Sequence, residues 1–335
     1  MNSVMFNTAL VSGSQGESKP EVSPVIHLAK MWAKKYVQRL DKVNDIHEGG
    51  NLRENTVEIM YNLLRQTSIE AWSQTEKLIG RELHRHEIDR TLIDPWQISQ
   101  DSFVIYNKAI DSYAKQLPPE HLATKIGGYL GKVRSNYTMS DARVIGFVSM
   151  QIHYTGQILL RQIPYSERQV VNSYFKVIDD YLYMPLQRAY EASAKHELNS
   201  TVLQVIQKLL PISTDIARSI CERVNLIYPR YHTHSGLLSD PVVKIASIRD
   251  VEMFQVYLWV CVLEDSIGSI QHELFPLCVM LYPALKVQWE LIRTMIHLLR
   301  QEVGARLGDT EKTLFKPYLE ILWEMFSPDI FPDSF

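Results

Sequence analysis

From Val25 to the C-terminus, apolar side chains return every three or four residues, and no run of four or more convincingly alternates apolar with polar. A period near 3.6 lines such residues along one stripe of a helix, whereas a half-buried strand needs a period of two. Val57, Met60, Tyr61 and Leu64 make one stripe, with Glu58 and Arg65 beside it. Leu203, Ile206, Leu209 and Leu210 make another, and Leu291, Met295, Leu298 and Leu299 a third. A chain patterned in this way packs helix on helix. Breakers mark the ends of the helices: Gly49-Gly50, Pro95, Pro118-Pro119, Gly127-Gly128, Pro164, Pro211, Pro229, Pro241, Pro283 and Pro328. Their spacing predicts about nine to twelve helices, with Ser140 and Ser166 placed to cap two of them.

The fold class that follows is all-α. At 335 residues the chain is longer than one ordinary core requires, and the polar bridge Ser193 to Thr201 separates two stretches of similar apolar content. The expected organisation is a disordered leader over 1–24, an N-terminal helical domain over 25–198 and a C-terminal helical domain over 199–335. The leader is rich in Ser, Gly, Pro and Asn, and such a segment buries too little surface to offset its ordering entropy.

Thirty-five basic against 38 acidic side chains leave a net charge of −3, so the chain as a whole carries no electrostatic footprint for nucleic acid. The longest strongly apolar run, Met253 to Leu263, is too short for a bilayer and suits a buried helix. Cys221, Cys261 and Cys278 form no paired framework, which fits a reducing compartment. The first residues lack the basic start and long apolar core of a secretory signal. A cytoplasmic location without membrane insertion is the expectation.

Several clusters carry residue types suited to chemistry. His84 and His86 stand two apart and point to different sides of a helix, while Glu82 and His86 meet at i, i+4. His232 and His234 lie in a loop with no third ligand near them in sequence. Asp179 and Asp180 begin the aspartate-rich motif of magnesium-dependent all-α isoprenoid enzymes without its third carboxylate. Asp265, Ser269 and Glu273 have the i, i+4, i+8 spacing of that chemistry's second metal helix. The default for Asp179 and Asp180 is a solvated or capping role on a helix that turns Phe175, Ile178 and Leu182 inward. Phosphate-cradling, dinucleotide-binding, nucleophile-elbow and zinc-protease motifs are all missing.

The C-terminal stretch runs LQVIQKLLPISTDIARSICERVNLIYPRY, then a histidine-bearing loop, then IASIRDVEMFQVYLWVCVLEDSIGSIQHELFPLCVMLYPALKVQWELIRTMIHLLRQEVGARLGD, then KTLFKPYLEILWEMF. Over roughly 200 to 335 this order resembles the bacterial globins, in which a histidine lies ten residues before the tyrosine of a Tyr-Pro pair. Tyr282-Pro283 supplies that pair here and His272 the histidine. The resemblance implies a globin-like C-terminal domain, with His272 as a candidate proximal haem ligand. Cys221 stands where those globins usually place a distal tyrosine, and Ser235 about where they place the phenylalanine against the porphyrin. The same resemblance extends to globin-fold sensors that hold no haem. The runs GFVSMQIHYTGQILL and YFKVIDDYLYMPLQRAY also resemble cyanobacterial helical proteins with no assigned activity.

The leading expectation is a non-enzymatic regulatory or scaffold protein, without a cofactor, whose helical modules bind a protein partner or sense a ligand, with a homodimer compatible with that role. A haem-binding gas or redox sensor through His272 is the alternative, and a magnesium-dependent isoprenoid-type enzyme a second one.

Overall fold

The computed structural model describes residues 24–37 and 50–332, and within them the chain is helical almost throughout. Most of the expected leader, residues 1–23, lies outside the described residues. The helices are α1 (Pro24–Val37), α2 (Gly50–Ile79), α3 (Glu82–Arg85), α4 (Pro95–Ala114), α5 (Pro119–Thr138), α6 (Val144–Gln162), α7 (Tyr165–Tyr183), α8 (Leu186–Ser193), α9 (Thr201–Leu209), α10 (Ser213–Ile227), α11 (Pro241–Glu264), α12 (Phe275–Ala284), α13 (Trp289–Arg306) and α14 (Asp309–Met325).

Proline marks the starts as its chemistry requires, since the missing N–H costs nothing in a first turn. Pro95, Pro119 and Pro241 each open a helix, and Asp94 accepts from the amides of Trp96 and Gln97 as the cap of α4. The expected break at Gly127-Gly128 does not occur. α5 runs through both residues because Gly127 lets the Tyr181 ring approach: an added Cβ would lie 2.6 Å from Tyr181 Cε1. The two expected serine caps also differ. The carboxylate of Asp141, not Ser140, accepts from the amide of Arg143 ahead of α6, and Pro164, not Ser166, is the cap position of α7.

α2 lies along α6 and α4, and α5 packs on α7 and α1. α10 runs beside α11 and α13, while α11 also meets α8, α9 and α14. The stripes read from sequence turn inward, Met60 and Leu64 on α2 and Leu203, Ile206 and Leu209 on α9 among them. Tyr61 is the exception, half exposed with its hydroxyl donated to Asp111.

Packing crosses the polar bridge before residue 199. α1 rests on Leu210–Ile212 as well as on α5 and α8, α12 touches α2 and α6, and one cluster of buried apolar side chains extends from Leu28 to Phe326. No helix among the described residues is long and apolar enough to cross a membrane.

Between α10 and α11 the histidine-bearing loop folds into a two-residue hairpin. β1 (His232–Thr233) pairs antiparallel with β2 (Gly236–Leu237), His232 opposite Leu237 and Thr233 opposite Gly236. Gly236 has φ +134°, and a Cβ there would meet Asp240 Oδ2 at 2.3 Å, so the turn depends on glycine.

Candidate functional site

A chain of buried charges runs through the centre. α1 brings Lys35 inward, where its Nζ lies 2.9 Å from Glu252 Oε1 and donates to Ser213 Oγ at 2.5 Å. Thr214 donates to the same Glu252 oxygen. Lys176 reaches Asp180 at 2.7 Å and stands 3.9 Å from Glu252, while Tyr36 donates to Asp180 at 3.0 Å. Burial pulls the Lys35 pKa below the usual lysine value, and the Glu252 carboxylate opposes that shift. Because Lys35, Asp180 and Glu252 are all sealed from solvent, this set locks α1, α7, α10 and α11 together and offers no surface to a substrate.

Beside it, α6, α7 and α11 enclose a recess of about 10 Å³, lined by Ser149, His153, Asp179, Tyr183 and Arg249 among others, which is room for a single water molecule. His153 Nδ1 lies 2.9 Å from Asp179 Oδ2, and Arg249 stands 3.9 Å from the same carboxylate oxygen. Burial is the largest single influence on the Asp179 carboxyl and raises its pKa, but His153, Arg249 and Lys176 together outweigh it and hold the group below its ordinary value. Arg249 also stacks over the Tyr183 ring at 4.2 Å, and the Tyr183 hydroxyl donates to Asp250 at 2.9 Å. An aspartate on Nδ1 fixes the histidine ring in one orientation, as a general base requires. The arrangement ties α6, α7 and α11 together around that recess.

The residues singled out in sequence are dispersed. Asp179 and Asp180 belong to the two sets just described. Asp265 accepts from Tyr318 at 2.7 Å, Ser269 Oγ lies 3.2 Å from Cys261 Sγ, and Glu273 is clamped by Arg134 and Arg188. The two acidic segments therefore serve different ion pairs and do not face each other over a shared cleft. Glu82 and His86 do meet, at 3.2 Å, and His84 contacts Arg90. His232 and His234 sit exposed on the hairpin. Among the described residues no group of three or more His, Cys, Asp or Glu side chains is placed to hold a metal ion.

His272 falls on a single π-helical turn, Ile270–Leu274, between α11 and α12, and its side chain is exposed. Cys221 is half-buried on α10, its thiol pushed up to about 12 chiefly by burial, and Ser235 is exposed at the tip of the hairpin.

The surface itself holds the remaining candidate. α10 and α11 run antiparallel: Thr214 meets Glu252 near one end and Glu222 meets Lys244 near the other. At that second end Leu226 is 78% exposed, Ile227 53%, Val242 64% and Ile245 68%. By the pairing of Glu222 with Lys244, Leu226 lies level with Asp240, and Val242 and Ile245 share one face of α11 at a spacing of three. Leu237 of the hairpin is partly exposed as well.

Sequence reasoning missed this face because a valine or isoleucine in a helix reads as core. The available signal was a surplus. α11 is apolar all round, more than one buried stripe requires, and α10 carries Leu226 and Ile227 after its own stripe has ended. His153 and Arg249 were missed for want of any local motif. Set against protein-family models, curated proteins and solved structures, the chain matches none of them.

Proposed function

We propose that this chain is a non-enzymatic regulatory or scaffold protein that acts by binding another protein, and that the partner docks on the face made by Leu226, Ile227, Val242 and Ile245. The observation that carries the reading is their exposure, each more than half open to solvent on two adjoining helices. Apolar side chains left open at one end of a helix pair mark an interaction surface. Each such side chain offers about 1.5–3 kcal/mol on full burial, which a partner gains and the isolated chain forgoes. In this reading the two helical modules, 25–198 and 199–335, form the rigid support, joined by the Lys35 to Glu252 ion pair.

The test is site-specific photo-crosslinking in lysate, with the reactive group at position 242 or, as a control, at exposed Glu58. Position 242 should yield a discrete product that the control lacks and that Leu226→Asp abolishes. The same products from both positions would remove the docking face from the argument.

A further inference from the structure

We infer that His153 is a covalent acceptor of a phosphoryl group, which it takes at Nε2 from an acyl phosphate. The site is independent of the docking face, and either can fail without the other.

The neighbours of His153 prepare it for attack. Nδ1 lies 2.9 Å from Asp179 Oδ2 and 3.5 Å from Arg249 Nη1. The shorter contact decides the tautomer: Nδ1 carries the proton and donates to the carboxylate, which leaves the lone pair of the neutral ring on Nε2. Nε2 has no hydrogen-bond partner among the described residues and is not among the buried polar atoms, and the side chain is 26% exposed. Of the described histidines, only His153 joins a carboxylate on Nδ1 to an open Nε2. His86 turns its Nε2 to Glu82, and His196 turns its Nε2 to the Leu263 carbonyl. Both His153 and Asp179 sit within long helices, α6 and α7, so the pair is in place before a reactant arrives. An imidazole held in this state is a nucleophile.

The surroundings select the electrophile. Arg249 stands against the ring, and its Nε has no partner. A guanidinium with a donor to spare favours a group that carries several anionic oxygens. Nε2 is open to water, so that group has to arrive already activated, as it is in a mixed anhydride of phosphate with a carboxylic acid. The Nε2 lone pair forms the N–P bond while the P–O bond to the acyl group breaks, and the carboxylate leaves with the electron pair. The Nδ1 proton stays on the ring, where Asp179 offsets the positive charge that the ring acquires. The product brings about two negative charges to the junction of α6, α7 and α11, where Asp179 and Arg249 are already paired.

The full chain is incubated with acetyl phosphate, either alone or with a receiver domain that acetyl phosphate charges on an aspartate. Wild type should gain a phosphoryl group that acid removes and alkali leaves in place, the behaviour of a phosphorus–nitrogen bond, and peptide mapping should locate it at His153. Labelling in the first arm makes a free acyl phosphate the donor, and labelling only in the second makes it a protein-borne one. His153→Ala should abolish the label, while His121→Ala, at an exposed histidine of α5, should not change it. Asp179→Asn should slow labelling at least about tenfold, the usual cost of removing the partner that orients a histidine. Asp179→Glu should recover part of that rate, as a merely structural role would not require, and circular dichroism shows that each variant retains its helices. No label in either arm, a label that resists acid, or one that persists in His153→Ala overturns the inference.

Discussion

Between Val251 and Leu263 every side chain of α11 is buried, whereas between Pro241 and Asp250 only Val243 is, although each stretch carries four β-branched aliphatic side chains. The difference lies in what surrounds them. The buried stretch contributes Glu252 to Lys35, Tyr257 to Arg134 and Phe254 to the ring of Phe326. The open stretch is tied chiefly along one side, by Lys244 to Glu222 on α10 and by Arg249 and Asp250 to α7. One helix therefore serves as a central strut at one end and as a projecting ridge at the other. An apolar composition marks a surface that wants covering and does not say whether the same chain or another supplies the cover.

Alkali gives the largest expected effect and attacks the sealed surroundings. Burial raises the pKa of Tyr36, Tyr106, Tyr183, Tyr190 and Tyr282 well above the ordinary value. In the unfolded chain these groups lose their protons near pH 10 while the folded chain keeps them, so stability falls as pH rises beyond that point, by about 1.4 kcal/mol per unit for each tyrosine. The five losses act in the same direction and add, which makes alkali the steepest challenge to the fold. Tyrosinate absorbance followed beside circular dichroism should show a block of tyrosines ionising only as the helices melt. Complete ionisation with the helical signal intact would contradict the burial described.

Next in size is the ion pair of the sealed end. Glu252→Leu strands the Lys35 charge in the interior and should cost about 3–5 kcal/mol in urea unfolding, while Lys35→Met with Glu252→Leu should recover most of it, since a matched apolar pair fills the same space without a bare charge. A double variant as weak as the single one would mean that Lys176, Asp180 and Thr214 depend on the pair as well. Two truncations then set the ends of α11 side by side. Leu258→Ala, in the sealed half, should lose about 2–5 kcal/mol through the cavity it leaves. Ile245→Ala, measured at dilution, should change stability by no more than about 0.5 kcal/mol. Equal losses at the two positions would erase the distinction between strut and ridge.

Much of the fold was legible because helices are local. The stripes on α9 and α13, the burial of Met253 to Leu263, and Pro95, Pro119 and Pro241 at helix starts all follow from spacing within one or two turns. Gly127-Gly128 was misread for a tertiary reason: glycine there admits the Tyr181 ring and does not end a helix. The charged interior was not legible at all. Lys35 and Glu252 are 217 positions apart, and Tyr36 and Asp180 are 144 apart, so no window of sequence holds both members. Asp179 drew notice for its neighbour Asp180, yet the two serve different partners. The exposed face escaped for the opposite reason, since Val242 and Ile245 look in sequence like the buried residues that follow them.

The long reach of Lys35 also has a consequence in time. A ribosome adding 5–20 residues per second needs roughly 10–40 s to travel from Lys35 to Glu252. Through that interval Trp32, Lys35 and Tyr36 have emerged while the helix that receives Lys35 has not been made. α1 is thus among the first described segments to be synthesised and cannot complete its docking until α11 exists, and a nascent chain halted before residue 252 presents an amphipathic helix with an unmatched cation in its apolar stripe, a form that chaperones are built to hold.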